Sequence, residues 1–193
     1  MLNSKLDNYV EYKGGRVKLT LPFNNVLNFY NLQEDERFND EEKINLGFGL
    51  LTSTSKKYSY EEKIEIIKEI FDQHINLIKL KGNKTNVKSF DFNQDSGYIY
   101  ASFMDQYNID LNDCIDSLDW RKFLWLFHGL SEKTIIKKIM SIRTKPIPKR
   151  TKNNHDEITN IMELKMMYAL DTTTEEKEKS FADSLKQLAK RYV

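Results

Sequence analysis

Cysteine is almost missing from this chain of 193 residues: Cys114 stands alone, so no internal disulfide can staple the fold. The first apolar stretch is broken by Asn3, Lys5, Asp7 and Asn8, which removes the pattern of a secretory leader. Together these features read as an intracellular, reducing site of action. Three prolines and seven glycines are too few for a many-turned β fold, and they favour long helices. No run approaches the ~20 apolar residues of a bilayer span, so no membrane association is expected. Thirty basic and 29 acidic side chains leave a formal net charge of +1, hence no global field that would draw in nucleic acid. The expected partner is another protein.

The groups that enzymes use are also missing in usable patterns. His74, His128 and His155 are far apart, and none has a Cys, His or Asp at metal-ligand spacing. Gly14-Gly15 and Gly47-Phe48-Gly49 lack the Lys and Ser/Thr of a phosphate loop, and no serine-nucleophile motif occurs. Cys114 lies between Asp113 and Asp116, whose charges oppose thiolate formation. Asp110, Asp113, Asp116 and Asp119 read as caps of turns and helix starts. The expectation is a protein that is not an enzyme, with no catalytic residue, cofactor or metal.

Apolar periodicity supplies the architecture. Val10-Glu11-Tyr12 and Val17 to Leu21 alternate around Lys13-Gly14-Gly15, the pattern of a β-hairpin, read as a lid on its own core. Pro22 opens a helix through Val26, Leu27, Phe29 and Tyr30. Asn39 with Glu42, and Ser59 with Glu62, are capping boxes that start two more helices, the first crossed by Gly47 and Gly49, the second running to Lys81-Gly82. The polar segment 82–90 reads as a mobile loop. From Phe92 to Lys149 the chain holds both tryptophans, and aromatic burial dominates core energetics. One helix is spaced by Tyr98, Ile99, Phe103 and Tyr107, after acidic Asp91 and Asp95. A second surrounds Trp120 and Trp125 and is apolar on most of its circumference, ending at Gly129 as an αL stop. A third is capped by Ser131, carries Ile135, Ile136 and Ile139, and stops before Pro146 and Pro148.

Three motifs in this stretch, DFNQDSGYIYASFMDQYNIDL, DWRKFLWLFHGLSEKT and KIMSIRTKPIPK, resemble the bacteriophage gene-product-fifteen family of Gram-positive siphophages and prophages. The family pattern falls on Asp95, on Tyr98 to Ala101, on Tyr107 to Leu111, on Trp120 to Leu130 and on Ile139 to Arg143. The chain departs from it at Asp119, where the family carries a histidine before the tryptophan. Members of the family are encoded beside the tape-measure gene, a slot like that of tail assembly chaperones. The resemblance therefore implies a chaperone that binds the tape-measure protein, and also tail tube subunits, non-covalently in the host cytoplasm, and that is absent from the mature virion. A tail or connector protein retained in the virion is one alternative, and a nucleic-acid-binding helical protein is another.

Beyond Pro148, KRTKNNHD is a polar linker, followed by an amphipathic helix through Ile158, Ile161, Met162, Leu164, Met167 and Tyr168. Thr173 and Glu176 cap a last segment with a narrow apolar stripe, Phe181, Leu185, Leu188 and Tyr192, the candidate partner-binding residues. Arg143, Lys145, Lys149, Arg150 and Lys152 form a candidate basic patch that could follow a phosphate backbone. No aromatic stacker accompanies it, so a solvated helix end is the preferred reading. The expected fold is mainly α, a single-domain multi-helix bundle of seven or eight helices with a small N-terminal hairpin. Residues 1–148 form the helical domain, and 149–193 a linker and C-terminal helices. A second copy of the chain is a further candidate partner.

Overall fold

Strands β1 (Tyr9–Tyr12) and β2 (Gly15–Lys18) pair antiparallel, with Val10 opposite Val17. Lys13 (φ 46°) and Gly14 (φ 73°) take the two positive φ angles that a two-residue type I′ turn requires. A lone hairpin is marginal in water. This one buries Val10 and Val17 fully and ties its tip to the third helix, where Tyr12 Oη donates to Glu65 and Lys13 Nζ pairs with Glu62 at 3.3 Å. It is a lid on its own core.

The computed structural model describes residues 5–76, 88–151 and 153–171, and among these the chain is mainly helical. The helices are α1 (Phe23–Glu34), α2 (Asp40–Leu51), α3 (Tyr60–Ile70), α4 (Ser96–Tyr107), α5 (Trp120–His128), α6 (Ile135–Thr144) and α7 (His155–Met167). Both capping boxes are present: Glu42 N donates to Asn39 Oδ1 at 3.0 Å, Glu62 N to Ser59 Oγ at 3.2 Å, and each glutamate reaches back to its cap's N–H. After Ile70 the helix widens into a π turn, Phe71–Ile75, which directs His74 and Ile75 inward. Its expected continuation to Lys81-Gly82, and the 82–87 part of the expected mobile loop, lie outside the described residues. From Lys88 the chain is packed, with the Phe90 ring 4.9 Å from that of Phe127.

Residues Leu19–Phe23 run between the end of α2 and the start of α5 and stitch the halves together. Thr20 N donates to Leu51 O, Trp120 N to Leu21 O, and Phe23 N to Leu118 O, all at 2.8–2.9 Å. Phe123, 1% exposed, then sits in a stack of rings, with Phe23 at 5.0 Å, Phe103 at 5.3 Å and Trp120 at 5.6 Å. The aromatic stretch is thus the centre of the core, and the hairpin and α1 to α3 close over one side of it.

Four local expectations change. Gly129 has φ −75° and is not an αL stop; a Cβ there would meet Tyr107 Oη at 2.9 Å and Trp125 O at 3.2 Å, so glycine serves close packing. The αL residue is Asn108 (φ 54°), which ends α4. Helix α6 begins after Thr134, because residues 131–134 first close a turn in which Thr134 N and Oγ1 donate to Ser131 O at 3.0 and 2.8 Å. Helix α5 is not buried all round: Trp120 points in at 3% exposure and Trp125 out at 47%. In α7 only Ile161 is buried, while Met162 and Met167 face out.

The two glycines of α2 differ in kind. A Cβ at Gly47 would stand 2.6 Å from the Phe29 ring, so glycine lets α2 approach α1, whereas Gly49 has nothing within 4 Å. Gly47→Ala should cost about 1–3 kcal/mol through overpacking, and Gly49→Ala should add up to about 1 kcal/mol through helix propensity, both read by urea denaturation.

Candidate functional site

Two buried arginines organise the charged groups. Arg143, near the end of α6, reaches Asp95 at the start of α4 in a fork, Nη1 to Oδ2 at 2.6 Å and Nη2 to Oδ1 at 2.8 Å. Asp95 is 1% exposed and Arg143 8%. The remaining polar atoms are also used: Asp95 Oδ2 accepts from Asp91 N at 2.9 Å, and Arg143 donates to the carbonyls of Ser89 (3.1 Å) and Tyr168 (2.6 Å). The aspartate and the arginine that mark two ends of the family pattern are therefore bound to each other. Arg143 is thereby turned away from the candidate basic patch, in which Lys145, Lys149 and Arg150 remain exposed and Lys152 lies outside the described residues.

Arg121 is the second centre. Asp119 caps α5 by accepting from Arg121 N at 2.9 Å and also takes the guanidinium through Nε (2.9 Å) and Nη2 (2.7 Å). Nη1 donates to Asp7 O at 2.7 Å and contacts His74 Nδ1 at 3.1 Å; Nη2 donates to Asn8 Oδ1 at 3.0 Å. A guanidinium only donates, so His74 accepts at Nδ1 and is a neutral ring with its proton on Nε2. Burial, reinforced by the Arg121 charge, pushes the His74 pKa down. The network fastens the segment before β1 to α5 and the π turn, which gives Asp119 a structural role. Asp110 is likewise a local cap, accepting from Asn112 N at 2.8 Å.

Both guanidiniums and their carboxylates are taken up by structural bonds, while His74 Nε2 is buried without a hydrogen-bond partner among the described residues. Among the described residues no group of three or more His, Cys, Asp or Glu side chains is placed to hold a metal ion, and no helix is long and apolar enough to cross a membrane.

Open concave surface lies elsewhere. Trp125 borders an open groove of about 710 Å³ with Leu6, Leu21, Pro22, Ser117 and Lys122. The lining is mixed, the half-exposed indole and the aliphatic side chains standing beside Lys5, Lys122, Asp116 and Asp119. A second open cleft, about 480 Å³, is lined by Leu27, Tyr30, Phe90, Phe92 and Trp120.

A family model described as Bacteriophage Gp15 protein matches residues 2–170. The chain belongs to the Bacteriophage Gp15 protein family. Neither a search of curated proteins nor a search of solved structures returns a match. Membership makes this a bacteriophage protein of the structural or assembly-related class. The Gp15 match runs from before the hairpin to the end of α7 and so contains both arginine centres and the Trp125 groove. It stops short of Phe181, Leu185, Leu188 and Tyr192, which also lie outside the described residues. Trp125 was not singled out by its sequence context, because every neighbour in its helix is apolar or basic; only the inward placement of Trp120 and Phe123 shows that it must face out.

His74 gives the Gp15 fold a pH dependence. An unfolded histidine binds a proton near its ordinary value of 6.5, and the buried ring resists it, so the unfolded state binds more protons below that point. Stability should be level above about pH 7.5 and fall towards pH 5.5, by at most about 1.4 kcal/mol per pH unit for each such proton. Burial and Lys137 lower His128 as well, which adds in the same direction. Urea unfolding across this range should show the decline, and His74→Gln should make it shallower, leaving the part due to His128.

Proposed function

We propose that this Gp15 protein is a tail assembly chaperone that binds the tape-measure protein non-covalently in the host cytoplasm and is released before the particle is complete. The observation that carries the reading is the family match over residues 2–170, taken with the place beside the tape-measure gene that the resemblance implies. A tape measure is a long helical protein whose apolar faces would self-associate before tube subunits enclose them. A chaperone for it needs an apolar binding surface and no bond-making chemistry. The Trp125 groove offers apolar side chains, Trp125, Leu6, Leu21 and Pro22, inside the family-matched region, where the apolar face of an amphipathic helix could lie. We place the contact there in preference to the 181–192 stripe. With Arg143 turned inward, the remaining basic run has less to offer a phosphate backbone.

The test is co-expression with the tape-measure protein, pull-down of the complex, and quantitation of this protein in purified particles. We expect capture, absence from particles, and a loss of capture of roughly tenfold or more in Trp125→Ser with an unchanged far-UV spectrum. No complex with the tape-measure protein, together with stoichiometric presence in particles, would overturn the chaperone reading and make the protein a virion component.

A further inference from the structure

We propose that α7 is a strap that opens as a unit about the segment 145–151 while the rest of the fold stays intact, and that opening uncovers Ile139 on α6. Three observations converge on this. First, α7 contributes nothing to the continuous core: of its 13 residues only Ile161 is buried, and Ile161 and Ile139 of α6 are buried apart from that core. Helix α6 does not depend on α7 for its place, because Ile136 lies in the core and its N–H donates to Ser102 Oγ of α4 at 3.2 Å. An element with one buried anchor opens well before the global unfolding of the domain.

Second, the polar bonds that hold α7 are gathered at its C-terminal end. Lys165 Nζ donates to Arg143 O at 2.6 Å, Arg143 Nε donates to Tyr168 O at 2.6 Å, and Asp171 N donates to Gln94 Oε1 at 2.6 Å, beside the edge-on Tyr98–Tyr168 ring pair. At the other end the linker bonds to itself: Thr151 N donates to Asn154 Oδ1 at 2.7 Å and Asn154 Nδ2 to Lys149 O at 2.9 Å. Pro146 and Pro148 separate α6 from this self-contained turn. One end is a latch and the other a hinge.

Third, opening leaves no buried charge unpaired. Arg143 would lose the Tyr168 carbonyl but keep both Asp95 oxygens and the Ser89 carbonyl. Lys165, whose pKa burial lowers, would regain water. The freed helix would then present Ile161 beside Met162 and Met166, which are already 47% and 78% exposed. Apolar side chains on both faces, with one buried, suit an element that docks in more than one place.

Native-state hydrogen exchange on the full chain tests this without any variant. Amides from Ile161 to Met167 should share one protection factor, about 100-fold or more below those of Phe103, Phe123 and Ile139. Lys165→Gln should lower the α7 value about three- to tenfold further and leave Phe103 and Phe123 unchanged. Protection in α7 equal to that of Phe103 and Phe123, or graded from its ends as in simple fraying, would overturn the proposal. So would a Lys165→Gln effect that is the same in α7 and in the core.

Discussion

A carboxylate and a guanidinium, both almost wholly withdrawn from water, meet where α4 begins and α6 ends, and the aromatic half of the protein is arranged around them. Burying either ion alone would cost several kcal/mol. Asp95 and Arg143 offset that cost by a forked pair of short bonds and by further backbone bonds to Asp91 N–H and to the carbonyls of Ser89 and Tyr168. Their helix positions help as well, since a negative charge suits the N-terminus of α4 and a positive one the C-terminus of α6. Three chain segments are fixed at one point, the approach to α4, α4 itself and α6, and the end of α7 latches onto it through Tyr168 O. The first of these brings Phe90 and Phe92 against Phe127, which closes the ring stack.

Arg121 performs the matching service for the N-terminal half. Its side chain joins Asp7, Asn8, His74 and Asp119, and the Leu19–Phe23 segment hydrogen-bonds to both α2 and the α5 start. Neither arginine is free to act on a ligand. The buried charged groups of this Gp15 protein build shape, and Trp125 stands about half exposed on the outer side of α5.

Local features were legible in the sequence wherever cause and effect lie within one turn. Both capping boxes, the Lys13-Gly14 turn and the helix spacings depend on residues a few positions apart, and the structure follows them. The Asp95–Arg143 pair was visible only as separate residues. The partners are 48 positions apart, and each had a local explanation, a helix dipole for the aspartate and a basic run for the arginine. Gly47 and Gly129 read as weak points or stops because the side chains that crowd them, Phe29 and Tyr107, belong to other helices. Trp125 was unreadable for the opposite reason: in a helix apolar on nearly every side, periodicity cannot say which face the core will take.

The account stands or falls on the coupling between Asp95 and Arg143, and a double-mutant cycle in urea measures it. Arg143→Met leaves a buried carboxylate without its partner and should cost about 3–5 kcal/mol, while Asp95→Asn strands the guanidinium with a comparable loss. With both replaced, no uncompensated charge remains, so Asp95→Asn/Arg143→Met should be more stable than Arg143→Met alone. Single losses below about 0.5 kcal/mol, or a double variant destabilised by the full sum of the two, would contradict the claim that this ion pair organises the fold.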